Sequence, residues 1–357
     1  MTKFLFAILF LTLPAAAPAT DLITPKVMVV TTYETGKDRG DTPGELQYWV
    51  ERENLDQSIQ VPGIDHPILT NGKGLYAMIC GTTSRCAIQM MTLAMDPRFD
   101  LRKTYFLLSG IAGVDPHAAS LGSAAWVKQA VDGDPTFEID SRETPASWPY
   151  GTVALGTDGP GKVPANVDST PAAAVSDNGS GGVGKVVFTL NPSLADWAYG
   201  LTKNVVIPDT PGMAASRARY KDYPMAQKPP FVLEGGSLGA DHYWSGAIMA
   251  HWGEDWVRLY TRGQSQLVMS DCEDQGLCLA MEELTRLGHV DFQRLLILRS
   301  GSDYVLPPPG VTPAQMVFDD LSGAPGYLPA LDSDYRVGSV VVAALLKDWP
   351  KYRDQVP

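Results

Sequence analysis

Two acidic residues at the ends of expected core elements offer the most chemistry in this chain. Glu273 comes just before a predicted helix, and Asp303 closes a predicted strand in Arg299-Ser300-Gly301-Ser302-Asp303-Tyr304. Carboxyl groups placed in this way can accept hydrogen bonds from a diol and pass a proton to a departing group, which is general acid–base work. In an open α/β sheet, ligands collect at the carboxyl ends of the strands, where the segment Ser109-Gly110-Ile111-Ala112-Gly113 is also expected. Taken singly, each acid reads more simply as a helix cap or a solvated loop acid, so the pairing carries the expectation.

Other motifs fall short of the chemistry they suggest. Gly156 to Val163 and Gly179 to Val186 approach a phosphate-cradling loop, but each has Val where Mg²⁺ binding needs Ser or Thr after the Lys. Gly235-Gly236-Ser237-Leu238-Gly239 matches a nucleophile elbow, with Pro230 to Leu233 as the strand before it. The last histidine, His289, has no loop that would aim it at Ser237, so a turn is the expected reading. His66, His117, His242, His251 and His289 are scattered singly, without CxxC or HxxxH spacing, so no metal and no cofactor is expected. The four cysteines form two equally spaced pairs, Cys80/Cys86 and Cys272/Cys278. Two disulfides are expected, with all three connectivities open.

The elements that must position these residues alternate. Lys26 to Thr32 reads as a buried first strand, Leu75 to Ile79 as a second, Ala87 to Met95 as a helix stopped at Asp96-Pro97, and Thr104 to Leu108 as a third strand. Strand, helix, strand in that rhythm implies parallel pairing with helical crossovers. Further strands are expected at Trp126-Val127, Val153 to Leu155, Lys185 to Leu190 and Arg294 to Leu298. Further helices are expected at Leu194 to Leu201, Ser245 to Leu259, Asp274 to Leu287 and Val337 to Leu346. Gly156 to Gly184, dense in Gly, Pro, Ala and Asp, is expected to be a surface excursion within one domain.

With 357 residues, 45% of them hydrophobic, the chain can bury a sizeable core as a soluble globular protein. Its net charge of -12 argues against nucleic acid or an anionic lipid surface as the main partner and favours a small ligand. Residues 1–19 combine Lys3, an apolar run from Phe4 to Leu13, and Ala17-Pro18-Ala19. This is the pattern of a cleaved secretory leader, leaving a single domain over 20–357 in the periplasm or outside the cell. No later apolar stretch reaches the ~20 residues of a membrane span, so no span is expected in the mature protein.

Several ordered segments resemble the purine nucleoside permease family. They include Tyr33-Glu34, Gly40-Asp41-Thr42-Pro43-Gly44-Glu45, Trp49-Val50-Glu51-Arg52-Glu53, Ser109 to Pro116, Tyr243-Trp244-Ser245-Gly246, Cys272-Glu273-Asp274-Gln275-Gly276 and Leu298 to Tyr304. The resemblance implies an α/β, nucleoside-phosphorylase-like three-layer fold with a central mixed, largely parallel sheet flanked by helices. It implies a purine nucleoside ligand held by Tyr33, Glu34, Arg85, Gly110, Ala112, Tyr243, Trp244, Glu273 and Asp303. In such a site Glu273 would take the ribose hydroxyls, and Asp303 would face the purine and donate the proton that N-glycosidic cleavage needs. Leu108 and Ile111 stand where related phosphorylases bind phosphate, and neither can hold an anion. The implied functions are therefore exported nucleoside binding for uptake or, alternatively, nucleosidase chemistry with water. A homo-oligomer or an inner-membrane transport partner is the implied assembly.

Overall fold

The sheet is built outward from β1 (Val27–Thr31), which is buried at every position. In this computed structural model residues 22–155, 157, 159–162, 185–318 and 323–357 are described. The expected leader, most of the 156–184 excursion and parts of both phosphate-loop-like segments lie outside them. On one side β1 pairs parallel with β4 (Leu75–Ile79), beyond which β3 (Ile68–Thr70) and β2 (Gln57–Ile59) add antiparallel edges. On the other side it pairs parallel with β5 (Tyr105–Val114), reached through helix α2 (Thr83–Met95). Helix α1 (Gln47–Arg52) precedes these edges in the chain.

The order then continues from β5 to β12 (Leu295–Tyr304), β6 (Ala124–Asp132), β10 (Val232–Gly239) and β11 (Leu267–Asp271). β11 turns back to pair with β5 at Met269↔Val114, so five strands close into a ring. β9 (Val187–Thr189) pairs with β6, and β7 (Thr136–Glu138) with β8 (Thr152–Ala154) forms a small separate hairpin. The remaining helices are α3 (Pro192–Thr202), α4 (Pro211–Arg217), α5 (Ala247–Tyr260), α6 (Asp274–Arg286), α7 (Pro313–Phe318), α8 (Tyr327–Lys347) and α9 (Trp349–Tyr352).

Strand alternation sorts the core into layers. Met28, Val30, Phe106 and Leu108 face Met90 and Leu93 of α2 and Leu277 and Met281 of α6. Val27, Val29 and Leu107 face Trp49 of α1, Leu194 of α3 and Val337 and Val341 of α8. The aromatic run Trp252, Trp256 and Tyr260 of α5 packs beside β10 and β11. This is the expected α/β three-layer fold with a mixed, largely parallel sheet. Among the described residues no helix is long and apolar enough to cross a membrane.

Three local expectations are corrected. The Gly235–Gly239 segment is neither an elbow nor a turn but the body of β10, because its glycines let the strand lie close on β11: a Cβ on Gly236 would stand 2.9 Å from the Gln266 carbonyl oxygen. Its Ser237 is buried and donates to Asp274. The Ser109–Gly113 segment continues β5 instead of ending it, since every residue from Ser109 to Val114 pairs with β12. Only one disulfide forms, Cys80–Cys86; Cys272 and Cys278 are free, Cys278 packed inside the α2 and α6 layer and Cys272 partly buried just before α6.

Candidate nucleoside site

Strand β12 carries both poles of the site. Its apolar start, Leu295 to Leu298, is fully interior, and the next residue, Arg299, is buried with 0% exposure. A guanidinium there survives only with acidic partners, because an unpaired buried charge costs several kcal/mol. Arg299 Nη2 donates to Glu273 Oε2 at 2.7 Å, and Nε and Nη2 donate to Asp274 Oδ1 at 3.0 and 2.8 Å. Asp271 Oδ1 lies 3.6 Å from Nη2. These acids are collected at the start of α6, where Asp271 Oδ1 accepts from the backbone N–H of Glu273 and Asp274 at 3.0 and 2.9 Å.

A further acid, Glu45, arrives from the loop after β1. Its Oε2 accepts from Thr32 N at 2.8 Å and from Thr32 Oγ1 at 2.6 Å, while Oε1 accepts from Ile111 N at 2.8 Å. Gly110 is required between them, since a Cβ there would stand 2.5 Å from both Arg299 Nη1 and Glu45 Oε1. One guanidinium among four carboxyls leaves net negative charge in the interior, and burial resists it. Burial raises Asp271 well above the ordinary carboxyl range and raises Glu45 as well. Glu273 is pushed up to about 7 by burial, with Arg299 opposing the shift.

Four residues further along β12, past a bulge between Gly301 and Asp303, the second pole is more open. Asp303 Oδ1 accepts from Ser302 Oγ at 2.8 Å and Oδ2 accepts from the Tyr243 hydroxyl at 2.9 Å. Burial raises the Asp303 carboxyl while these two donors oppose the shift. Asp303 lines two cavities. A narrow one of about 30 Å³ includes Gly113, Tyr243, Trp244 and Cys272. A wider one of about 290 Å³ includes Leu121, Arg219, Tyr220, Ser302 and Tyr304. Trp244 is buried against Trp252 in an edge-on contact of 5.7 Å, whereas Tyr243 is 47% exposed.

The expected residues therefore divide. Gly110 and Ala112 lie on β5, Asp303 on β12, Tyr243 and Trp244 in the segment before α5, and Glu273 at the start of α6. Ala112 contributes its carbonyl, which accepts from Ser302 Oγ at 3.2 Å. Tyr33 is partly buried and donates to the Tyr327 hydroxyl at 3.1 Å. Glu34 is occupied by backbone: it accepts from Thr35 N, Gly44 N and, at 2.6 Å, Gln47 N, which fixes the loop that delivers Glu45. Arg85 is exposed on α2 and paired with Asp65. Glu45, Asp274 and Arg299 are the residues that reading the sequence for sites passes over. The available signal was an arginine directly after four apolar residues in a buried strand.

The mixed, largely parallel sheet that closes partly on itself is a nucleoside-phosphorylase-like fold. Consistent with that fold, the chain is similar to the 5'-methylthioadenosine/S-adenosylhomocysteine nucleosidase of S. pneumoniae, with a TM-score of 0.51, 12% identity, and coverage of 92% of this chain and 100% of that one. Residues 24–357 match the purine nucleoside permease (NUP) family, and the chain belongs to it. A purine nucleoside permease of Candida albicans is 27% identical over 336 residues, 92% of this chain and 76% of its own. A probable purine nucleoside permease of Schizosaccharomyces pombe is 28% identical over 334 residues, 91% of this chain and 90% of its own.

Proposed function

We propose that the chain binds a purine nucleoside between Glu273 and Asp303 and serves nucleoside uptake as an exported, periplasmic or secreted binding component. The observation that carries the reading is that one strand, β12, ties both acids together: Glu273, at the start of α6, is locked on Arg299 of β12, and Asp303, four residues further along the same strand, faces a cavity. An ionised Glu273 has a free oxygen to accept the hydroxyls of a vicinal diol, and Asp303 presents a carboxyl to the nitrogen edge of the base. Trp244 supplies an aromatic wall of the kind that ligand pockets use. The names of the family and of its fungal relatives support a nucleoside ligand and a role in its transport.

A second reading, hydrolysis of the N-glycosidic bond, is favoured by the raised Asp303 carboxyl, since an acid that keeps its proton can give it to the departing base. Water is the nucleophile in this reading. Leu108 is buried in the core, Arg39 is paired with Asp56, and Arg299 is already surrounded by acids, so no free cation at these positions receives phosphate.

Incubating the full chain with a panel of purine and pyrimidine nucleosides, with and without phosphate, tests both. Purine nucleoside recovered bound and intact supports the binding component. Release of base with free ribose, independent of phosphate, supports hydrolysis. Neither binding nor cleavage of any purine nucleoside overturns both readings.

A further inference from the structure

Away from Glu273 and Asp303, the chain segments that line the narrow cavity run on into a second cluster of polar side chains. β5 passes Gly113 and reaches Asp115 and His117, while the segment carrying Tyr243 and Trp244 enters α5, which holds His251 and Glu254. Spacing of three residues puts His251 and Glu254 on one helical face. The two segments meet at His117. Its Nδ1 is 3.1 Å from Asp115 Oδ1 and 2.6 Å from Glu254 Oε1. The other Glu254 oxygen, Oε2, is 3.2 Å from His251 Nδ1, and the two imidazole rings are 6.0 Å apart. Two of the histidines that look isolated in the sequence are thus neighbours.

Hydrogen bonding does not account for this convergence. One imidazole nitrogen can present one proton, yet two carboxylate oxygens close on His117 Nδ1. Asp115 Oδ1 takes the hydrogen bond, so Glu254 Oε1, 2.6 Å from the same nitrogen, is left as a charge partner without a proton of its own to accept. Asp115 itself is 2% exposed. Arg258, one turn further along α5, is engaged with Asp255 and does not neutralise the pair. Donor atoms of Asp115, His117 and Glu254 all lie within 4.8 Å of one another, and no other group of three or more such residues does so among the described residues. All three line an open cavity of about 570 Å³, so an ion has a way in.

We propose that Asp115, His117 and Glu254 form a binding site for a divalent transition metal of the zinc class, with His251 beside it. One imidazole and two carboxylates are a donor set that zinc accepts, and the open side leaves room for water as a fourth ligand. Tetrahedral bonds of about 2.0–2.1 Å hold donors roughly 3.3 Å apart, so the two spacings at His117 Nδ1 need to open by less than about 1 Å. A bound ion would tie the end of β5 to α5, the two segments that flank the narrow cavity. The site does not depend on what the cavity binds.

The test is to strip the full chain with a chelator and titrate it with Zn²⁺ against a chromophoric competitor. The wild type, His117→Ala, Glu254→Gln and the control His289→Ala are compared, with circular dichroism confirming each fold. One equivalent bound by wild type and control, weakened at least tenfold in both cluster variants, with a zinc-dependent rise in Tm confined to the first two, supports the site. Absence of stoichiometric binding, or binding unchanged in His117→Ala and Glu254→Gln, overturns it. Since His117 is exposed, its variant remains informative if Glu254→Gln misfolds.

Discussion

The two poles of β12 differ in how they are held. At Arg299 every neighbour is interior, the acids are fixed by a helix start and by backbone N–H groups, and nothing can move without exposing a charge. At Asp303 one donor is the adjacent Ser302 and the other is a half-exposed tyrosine beside a cavity. Four residues separate a rigid anchor from an adjustable contact. The inner pole sets geometry in advance, whereas the outer pole has partners that a ligand can replace, and preorganisation of the first makes the second selective.

The comparison breaks most severely at Arg299. Arg299→Met should cost about 3–5 kcal/mol of folding stability, measured by denaturant unfolding, because it strands Glu273, Asp274 and Glu45 without their cation. A loss below about 1 kcal/mol would mean that these acids are held as neutral groups without it.

At the outer pole, Asp303→Asn removes the proton donor while keeping shape. If base release is detected in wild type, turnover should fall by a factor on the order of 10² or more, with much of the nucleoside affinity kept. A variant that binds poorly and cleaves normally would reverse the roles assigned to the poles. Glu273→Ala should weaken purine nucleoside binding by about 1.5–3 kcal/mol in calorimetry, the size of lost hydrogen bonds to a charged group.

The pH dependence sharpens the same contrast. Only the ionised Glu273 accepts both hydroxyls, and its carboxyl lies at about 7, above the ordinary value of 4.5. Nucleoside affinity should therefore rise by up to about tenfold per pH unit toward pH 7 and level off above it. Ligand-free stability should move in the opposite direction. Between the unfolded and folded values the native state binds the extra proton, so this group's contribution is present below about 4.5 and is lost as pH rises through about 7. Stability that rises across that interval, once other groups are accounted for in Glu273→Gln, would contradict the assignment. The smallest effect belongs to Tyr243→Phe, which deletes one hydrogen bond to Asp303 and should change affinity by about 0.5–1.5 kcal/mol.

Much of the architecture was legible because apolar periodicity is local. Leu75–Ile79 is a strand with the expected limits, and the helices beginning at Ala247 and Asp274 fall close to expectation. What escaped depended on pairing between distant segments. Ser109–Gly113 looks like a turn by its glycines, but partners on β12 hold it extended. The glycines of Gly235–Gly239 likewise admit β11 and do not form a bend. Equal cysteine spacing suggested equal fates. Yet the two residues after Cys272 are the acids that hold Arg299, and the chain there is committed to that cluster. Glu273 and Asp303 stood out in the sequence by their places beside a helix and a strand, and the structure has them at the start of α6 and on β12. Glu45 did not stand out, because only the folded loop after β1 carries it to Gly110.

In the proposed site Glu273 and Asp303 share one purine nucleoside. The most direct test is calorimetric titration of the full chain with inosine and adenosine, with cytidine as the pyrimidine control, in wild type, Glu273→Ala and Asp303→Asn. We expect one purine nucleoside per chain, a clear preference over cytidine, and weaker binding in Glu273→Ala. Purine binding of equal strength in all three proteins, or no heat with any purine nucleoside, would contradict it.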